Sequence, residues 1–559
     1  MRISRSIVSE CYNATRRYKS NQTRFAESIK DTSLLEVNKE KEFINGLPLI
    51  KDKIDKRKVN DVKITNSKSE YINGKLNIVR NIFGNDSTNE NFINYKFPKG
   101  VESPFNAVVA KKKSVISNKI TGTDRLSVTK LLTKRWCELR ETYDIYSKIP
   151  MFETTAIKGG KVAHKKLETR SHPTPKEWTR FVEDFEMNIP TDKYHNYIED
   201  LFNCSMRFVS LFKLGDAREI LCHAYLDNTT GKFLKNVPNS DNDILVSGII
   251  DHLTLTEKIP TILENPVKRP PFALFSVDYN DCFTSFQSLL SWLEMNKSYL
   301  ESNYEIVVSD VKTRSYRSKP SQSSVILAAK YQAMYYHTFL HLLSLDPSVT
   351  YQNIIINAQR RGYDVDQPID PAKLISLIES NNIIFEDMRH LRDGENINFE
   401  PFDSDARNYY SDKNSIYDLN KYSDIITDRR VLEKYGELFT NWKIPVSLRY
   451  MAARLAQMYH FTGPLLSDQL LIEYYCYDDN FHNIFFKYDE ETITKEAFDS
   501  TLYWFGKREI EPIKPTVSNL LTYCKYCDYN KICAWKKNGE EHNRNLGRDL
   551  INMTKAQQM

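Results

Sequence analysis

The stretch EIVVSDVKT, running through the turn SYRSKPSQSS into VILAAKYQAMYYHTFLHLL, constrains this chain more than any other part of it (residues 305–343). Ile306, Val307, Val308 and Val311 form a short, β-branched apolar run that suits a core strand. Side chains alternate across a strand, so Asp310 and Lys312 emerge on the same face. A carboxylate beside an ammonium at a strand end can hold a divalent cation that polarises a phosphate. The ammonium then orients a hydroxide or stabilises developing charge. D-x-K alone also reads as a strand-edge ion pair. The residues after it are more specific: a basic turn, then an apolar helix on which Gln332 and Tyr336, at i and i+4, share a face.

Strand with D-x-K, basic loop, then helix with Q-x-x-x-Y resembles the C-terminal part of the RecB-type PD-(D/E)XK nuclease core. Upstream, KGGKVAHKKLETR (158–170) suggests a turn at Gly159–Gly160 into a helix that puts His164 and Glu168 on one face. In its position this resembles the G-x-x-x-H-x-x-x-E element that opens that core. REILCHAYLD and DILVSGIIDHLTL read as paired strands, and Asp251 ends the apolar run ILVSGIID close to Gly248. The resemblance makes Asp251 the second core carboxylate, paired with Asp310. It implies that His164, Asp251 and Asp310, with the Val311 carbonyl, hold one or two Mg²⁺ (or Mn²⁺), with Glu168 as a supporting acid. Lys312 is then expected to position the attacking hydroxide, with Gln332 and Tyr336 holding the lysine or a phosphate.

The cysteines carry a second signal. Of nine, three crowd into LTYCKYCDYNKICAW as C-x2-C-x5-C: Cys524, Cys527 and Cys533. Three thiols so close point to metal, but are one short of a closed site. Zinc could recruit His542, whereas a [4Fe–4S] cluster wants four thiolates. Cys137, read as the middle of one helix in TDRLSVTKLLTKRWCELRETYDIY, can supply the fourth. One far-upstream cysteine followed by C-x2-C-x5-C resembles the iron–sulfur subset of these nucleases. W-C-E-L-R, H-x-x-x-E, G-x-x-D, D-x-K, Q-x-x-x-Y and the cysteine tail, in this order over about 124–540, resemble its fungal mitochondrial branch.

That resemblance implies an α/β PD-(D/E)XK (restriction-endonuclease-like) nuclease core, a central mixed sheet flanked by helices, within a nuclease domain of 119–559. A split [4Fe–4S]-binding subdomain would come from about 124–150 plus 515–540, the catalytic core from about 158–345, and a cover from about 346–440. The implied activity is metal-dependent exonucleolytic cleavage of single-stranded DNA. It would start from 5′ ends and release short oligonucleotides, in mitochondrial DNA replication, recombination or maintenance. Arg314, Tyr316, Arg317 and Lys319, directly after D-x-K, combine charge with a stacking face, which suits single-stranded nucleic acid. The rival expectation is a non-catalytic iron–sulfur protein that binds single-stranded DNA or acts as a scaffold, with a nuclease-like fold.

The global balance of 78 basic and 73 acidic residues, net +5, neither requires nor excludes nucleic acid. No stretch of 18–20 uninterrupted apolar residues suggests a membrane span. Residues 1–24 carry six Arg or Lys against the single acid Glu10 and read as a mitochondrial transit peptide; a basic arm that touches nucleic acid is the alternative. Residues 25–118, polar and poor in apolar side chains, read as disordered or loosely docked. A matrix address, monomeric action on single-stranded DNA and a mitochondrial single-strand-binding protein as partner complete the expectations. His337 and His341 read as packing or solvated residues. Arg449 reads as either a nucleic-acid contact or an ion-pair partner.

Overall fold

The computed structural model describes residues 68–84, 93, 95–108, 125–149, 155–173, 189–238, 243–258, 283–320, 322–411 and 429–557. The transit-peptide expectation at 1–24, and the larger part of 25–118, lie outside the described residues.

Among the described residues six strands build one mixed sheet: β1 (Arg125–Ser127), β2 (Asp216–Asp227), β3 (Asp243–Glu257), β4 (Tyr304–Arg314), β5 (Gln469–Cys476) and β6 (Asp479–Lys487). The helices that bear on function are α1 (Lys68–Phe83), α2 (Glu138–Ser147), α3 (Thr155–Ser171), α4 (Lys193–Leu214), α5 (Phe286–Met295), α6 (Ser323–Leu345), α7 (Pro347–Arg360), α8 (Leu448–His460) and α9 (Ala534–Gln557). The expected strand pair is present, β2 and β3 forming an antiparallel hairpin, and β5 and β6 form a second one. Helix α6 packs on β2, β3, β4 and β5, while α3 lies against β2 and β4.

The topology makes an opening in the sheet. A strand has two edges, and β2 takes one edge of β3 along nearly its whole length. Two strands share the other edge: β1 runs parallel to Leu245–Ser247, and β4 antiparallel to His252–Glu257. Gly248–Asp251 lie between these partners. At Ser309 β4 leaves β3 and continues in parallel pairing with β5 to Arg314. Asp310 and Lys312 therefore sit where two strands part, beside the exposed edge that carries Asp251.

Several expectations change. The stretch 124–147 is not one helix: Val128–Leu131 makes a single turn, and Cys137 is the N-cap residue of α2. The Trp504 indole donates to the Lys130 carbonyl at 2.8 Å, taking the acceptor that a continuing helix would have used. Gly159 and Gly160 lie inside α3 and not in a turn before it. A Cβ at Gly160 would stand 3.0 Å from the Thr313 hydroxyl, so the glycine lets helix and strand come close. β1 is too short for alternation to reveal it.

Within 25–118, α1 is firmly packed. Val79 and Phe83, at i and i+4, are buried, and the Phe83 ring meets Tyr143 and Tyr146 edge-on at 5.1 and 5.5 Å. Lys75 donates to Asp144 at 2.6 Å. Arg449 is an ion-pair partner, bonded to both oxygens of Asp366 at 2.6 and 2.8 Å and to Asp405 at 2.8 Å. His337 is a packing residue, stacked on Tyr488 with ring centroids 4.0 Å apart.

Candidate active site

Continuing the β2–β3 register past Arg218↔His252 and Ile220↔Ile250 places Glu219 directly opposite Asp251, yet that one pair is missing. Glu219 has a left-handed backbone (φ 59°), a conformation that costs a non-glycine residue roughly 1–2 kcal/mol. Arg207 on α4 holds the turned carbonyl of Glu219 at 2.6 Å and bonds Glu168 at 2.5 Å. Two carboxylates are thus set side by side across a strand pair, an arrangement that is unfavourable without a cation. His164 on α3 faces them: its Nδ1 lies 3.6 Å from Glu219 and 4.0 Å from Asp251. One ligand atom each from His164, Glu219 and Asp251 fall within 4.8 Å of one another. Sequence patterning does not single out Glu219; the register that exposes it runs across a long polar connection that no periodicity fixes.

Asp310, fully buried, does not join this group of three, but stands behind it. Its Oδ1 accepts from Lys312 Nζ at 2.7 Å, while Oδ2 is buried with no hydrogen-bond partner. The Val311 N–H donates to Asp251 Oδ2 at 2.8 Å, in place of a partner on β3. A strand residue's N–H and C=O leave on the same edge, so the Val311 carbonyl also faces the opening. Burial and the neighbouring Asp310 push the Asp251 carboxyl up to about 7. Burial raises Asp310 as well, against the pull of Lys312. Glu219 leads the raising of His164, against burial. Three acids crowded together, two of them raised by burial, favour a bound cation.

Lys312 is held at both ends of its reach. Its Nζ donates to Gln332 Oε1 at 3.2 Å, and Gln332 Nε2 donates to the Tyr336 hydroxyl at 2.8 Å. The shared face of α6 expected for Gln332 and Tyr336 thus forms a relay onto the lysine. Gly248 makes room for it: a Cβ there would come within 2.8 Å of both the Tyr336 ring and Val128. Glu168, one turn beyond His164, takes Lys165 at 3.0 Å as well as Arg207, so it braces rather than joins the group of three.

His164, Glu168, Glu219, Asp251 and Tyr336 line a cavity of about 840 Å³ walled by α3, β2, β3 and α4, with Asp310, Lys312 and Gln332 set behind that lining. From 346–440, among the described residues, Ile354, Asn357 and Arg361 reach its lining. The loop after D-x-K stands outside it. Tyr316 is 63% exposed with the Arg314 guanidinium 5.5 Å from its ring centroid, Lys319 is exposed, and Arg317 pairs with Asp479 at 2.7 Å.

The four cysteines line one narrow pocket with Trp136, Tyr143, Tyr523, Tyr529 and Trp535. Burial pushes the thiols of Cys524, Cys527 and Cys533 up to about 12, and that of Cys137 upward as well. The Ile513 N–H points at Cys137 Sγ at 3.5 Å. Among the described residues, no three thiols lie within 4.8 Å of one another. His542 is exposed and does not line the pocket. Ile93 braces this region, donating to the Ile532 carbonyl at 2.8 Å and bridging Cys533 in parallel.

Comparison with known proteins gives a consistent picture. A family profile described as "Exonuclease V - a 5' deoxyribonuclease" matches residues 118–536. A Vanderwaltozyma polyspora protein named "Exonuclease V, mitochondrial" is 47% identical over 522 residues, covering 92% of this chain and 93% of that protein. Proteins of the same name from Kluyveromyces lactis and Saccharomyces cerevisiae are 40% and 38% identical, over 88% and 91% of this chain and 90% and 88% of their own lengths.

Proposed function

Given that the chain belongs to the exonuclease V family, we propose that the carboxylate cavity hydrolyses single-stranded DNA from its 5′ end, in mitochondria, on a PD-(D/E)XK core. The observation that carries this reading is the meeting of His164, Glu219, Asp251, Asp310 and Lys312 where β4 parts from β3. The donor set suits a hard divalent cation, Mg²⁺ or Mn²⁺: carboxylate oxygens, one imidazole, the Val311 carbonyl edge and a buried Asp310 oxygen without a partner. When bound, the cation would polarise the scissile phosphate and ease ionisation of the attacking water.

The chain's own residues do the remainder. Lys312, fixed by Asp310 and Gln332, presents its ammonium toward the reacting phosphate, where negative charge develops. The Val311 N–H fixes the rotamer of Asp251, and Arg207 fixes both Glu168 and the strained Glu219 backbone. The exposed Tyr316 ring, with the half-buried Arg314 guanidinium beside it, offers a ring and a charge to an unpaired, stackable base, which a duplex does not present.

The cysteine pocket would hold a [4Fe–4S] cluster. Four thiols line this pocket, the number a four-iron cluster takes, and the histidine that zinc would recruit is exposed outside it. Arg140 and Lys536 line the pocket and would offset the thiolate charge. The role of this group is structural: it ties α2 to the segment before α9.

Anaerobically purified protein, given Mg²⁺ and linear strands labelled at either end together with circular single strands, tests the activity. Short labelled products from 5′ ends, with circles spared, support it. Binding without cleavage leaves the non-catalytic reading instead.

A further inference from the structure

The cavity has a second end, away from the carboxylates. β1 pairs with β3 in parallel so that Arg125 stands beside Leu245, six residues before Asp251. At about 3.3 Å per residue this is roughly 20 Å along the strand. Between them Ser247, its cross-strand partner His223 and the 43%-exposed Ile249 line the cavity, and beyond His223 it is walled by Arg125, Tyr197 and Arg361. Arg361 lies 4.8 Å from the Tyr197 ring centroid, its Nε donating to Asn357 at 2.9 Å, and Tyr197 in turn stacks on Tyr363.

Like charges meet here. Burial, then Arg361, lowers the Arg125 guanidinium from its usual range. His223 is 7% exposed, and its Nε2 has no hydrogen-bond partner. Burial, then Arg361, pushes that imidazole down to about 3, so it is neutral and able to donate one N–H. Asp200 also lines this end; burial and Glu199 raise its carboxyl, while Arg207 and Arg361 favour its charge, so one carboxylate there faces two guanidinium groups. Two guanidinium groups and an imidazole Nε2 without a partner, facing one space, suit an anion, and guanidinium forks match phosphate.

We infer that the Arg125–His223–Arg361 end is a subsite for a phosphate of the DNA strand, several nucleotides from the bond that is cut. The inference rests on the DNA-cleaving reading above. Since one cavity joins the subsite to the carboxylates, a strand held at both ends is cut at a set distance, which yields oligonucleotides of defined length rather than mononucleotides.

The test compares wild type, Arg361→Gln and Arg361→Lys. Binding of a fluorescent single strand is measured in chelator across a salt series, then KM, kcat and product length in Mg²⁺. For Arg361→Gln we expect the slope of log Kd against log salt to shrink by about 0.7, the loss of one single-strand phosphate contact. KM should rise about tenfold with a smaller change in kcat, and products should become heterogeneous in length; Arg361→Lys should recover the salt slope. A merely structural arginine would not move that slope. An unchanged slope, KM and product length in Arg361→Gln would overturn the subsite. Loss of the effect on strands with a 5′-hydroxyl would assign it to the terminal phosphate; its persistence would assign it to an internal phosphodiester. Wild type that binds but never cuts would sink the nuclease reading and leave the salt-slope result to stand by itself.

Discussion

The carboxylate cavity and the cysteine pocket are both proposed to hold metal, and they differ in nearly everything else. The first is roomy, offers hard oxygen and imidazole donors, and sits where the sheet opens. The second is narrow, walled by aromatic rings, and offers sulfur alone. Hard cations that keep water suit the first, and thiolate chemistry suits the second. Room for water and a polymer is what a reaction needs; closure is what a crosslink needs. On the proposed reading, cleavage belongs to the first site and mechanical integrity to the second.

The sharpest way to break this contrast is at Asp310. Asp310→Asn should lower cleavage about 10³-fold or more while leaving the visible absorbance of the cysteine-bound group intact. Cys533→Ser should do the reverse: absorbance lost, and Tm lower by about 4 °C. The crosslink between α2 and the chain's end is worth about 3–5 kcal/mol by analogy with other long-loop closures. Glu219→Gln sharpens the role of like charge. Without added metal its Tm should rise by a degree or two, because the repulsion from Asp251 is removed. The gain in Tm on adding Mg²⁺ should shrink, with affinity down about tenfold by titration calorimetry. Tyr336→Phe, the smallest change, removes the hydroxyl that orients Gln332 beneath Lys312. A three- to tenfold fall in kcat with KM nearly constant is expected, and stopped-flow single-turnover rates would show it.

Much of this is legible in the sequence because it is local. The D-x-K strand, the Q-x-x-x-Y helix face and the β2–β3 hairpin follow from side-chain periodicity, and the structure places them accordingly. What is not legible depends on distance. Glu219 joins the candidate ligands through a cross-strand register and a left-handed backbone, neither of which has a sequence period. Cys137 reads as mid-helix because its neighbours have helical spacing; a remote tryptophan, Trp504, removes the carbonyl that spacing relies on. Composition alone makes 68–83 look unpacked, although two apolar residues one turn apart suffice once α2 supplies the other half of the contact. The glycines of α3 look like a turn because the close approach of Thr313 is invisible until β4 is in place.

The division of labour between the two sites is tested most directly by one rate: the loss of linear single-stranded DNA in Mg²⁺ catalysed by Asp310→Asn, at cluster absorbance and Tm matched to wild type. Cleavage reduced about 10³-fold or more with DNA binding retained is the predicted result. Cleavage at the wild-type rate would contradict it and move the chemistry out of the cavity where β4 parts from β3.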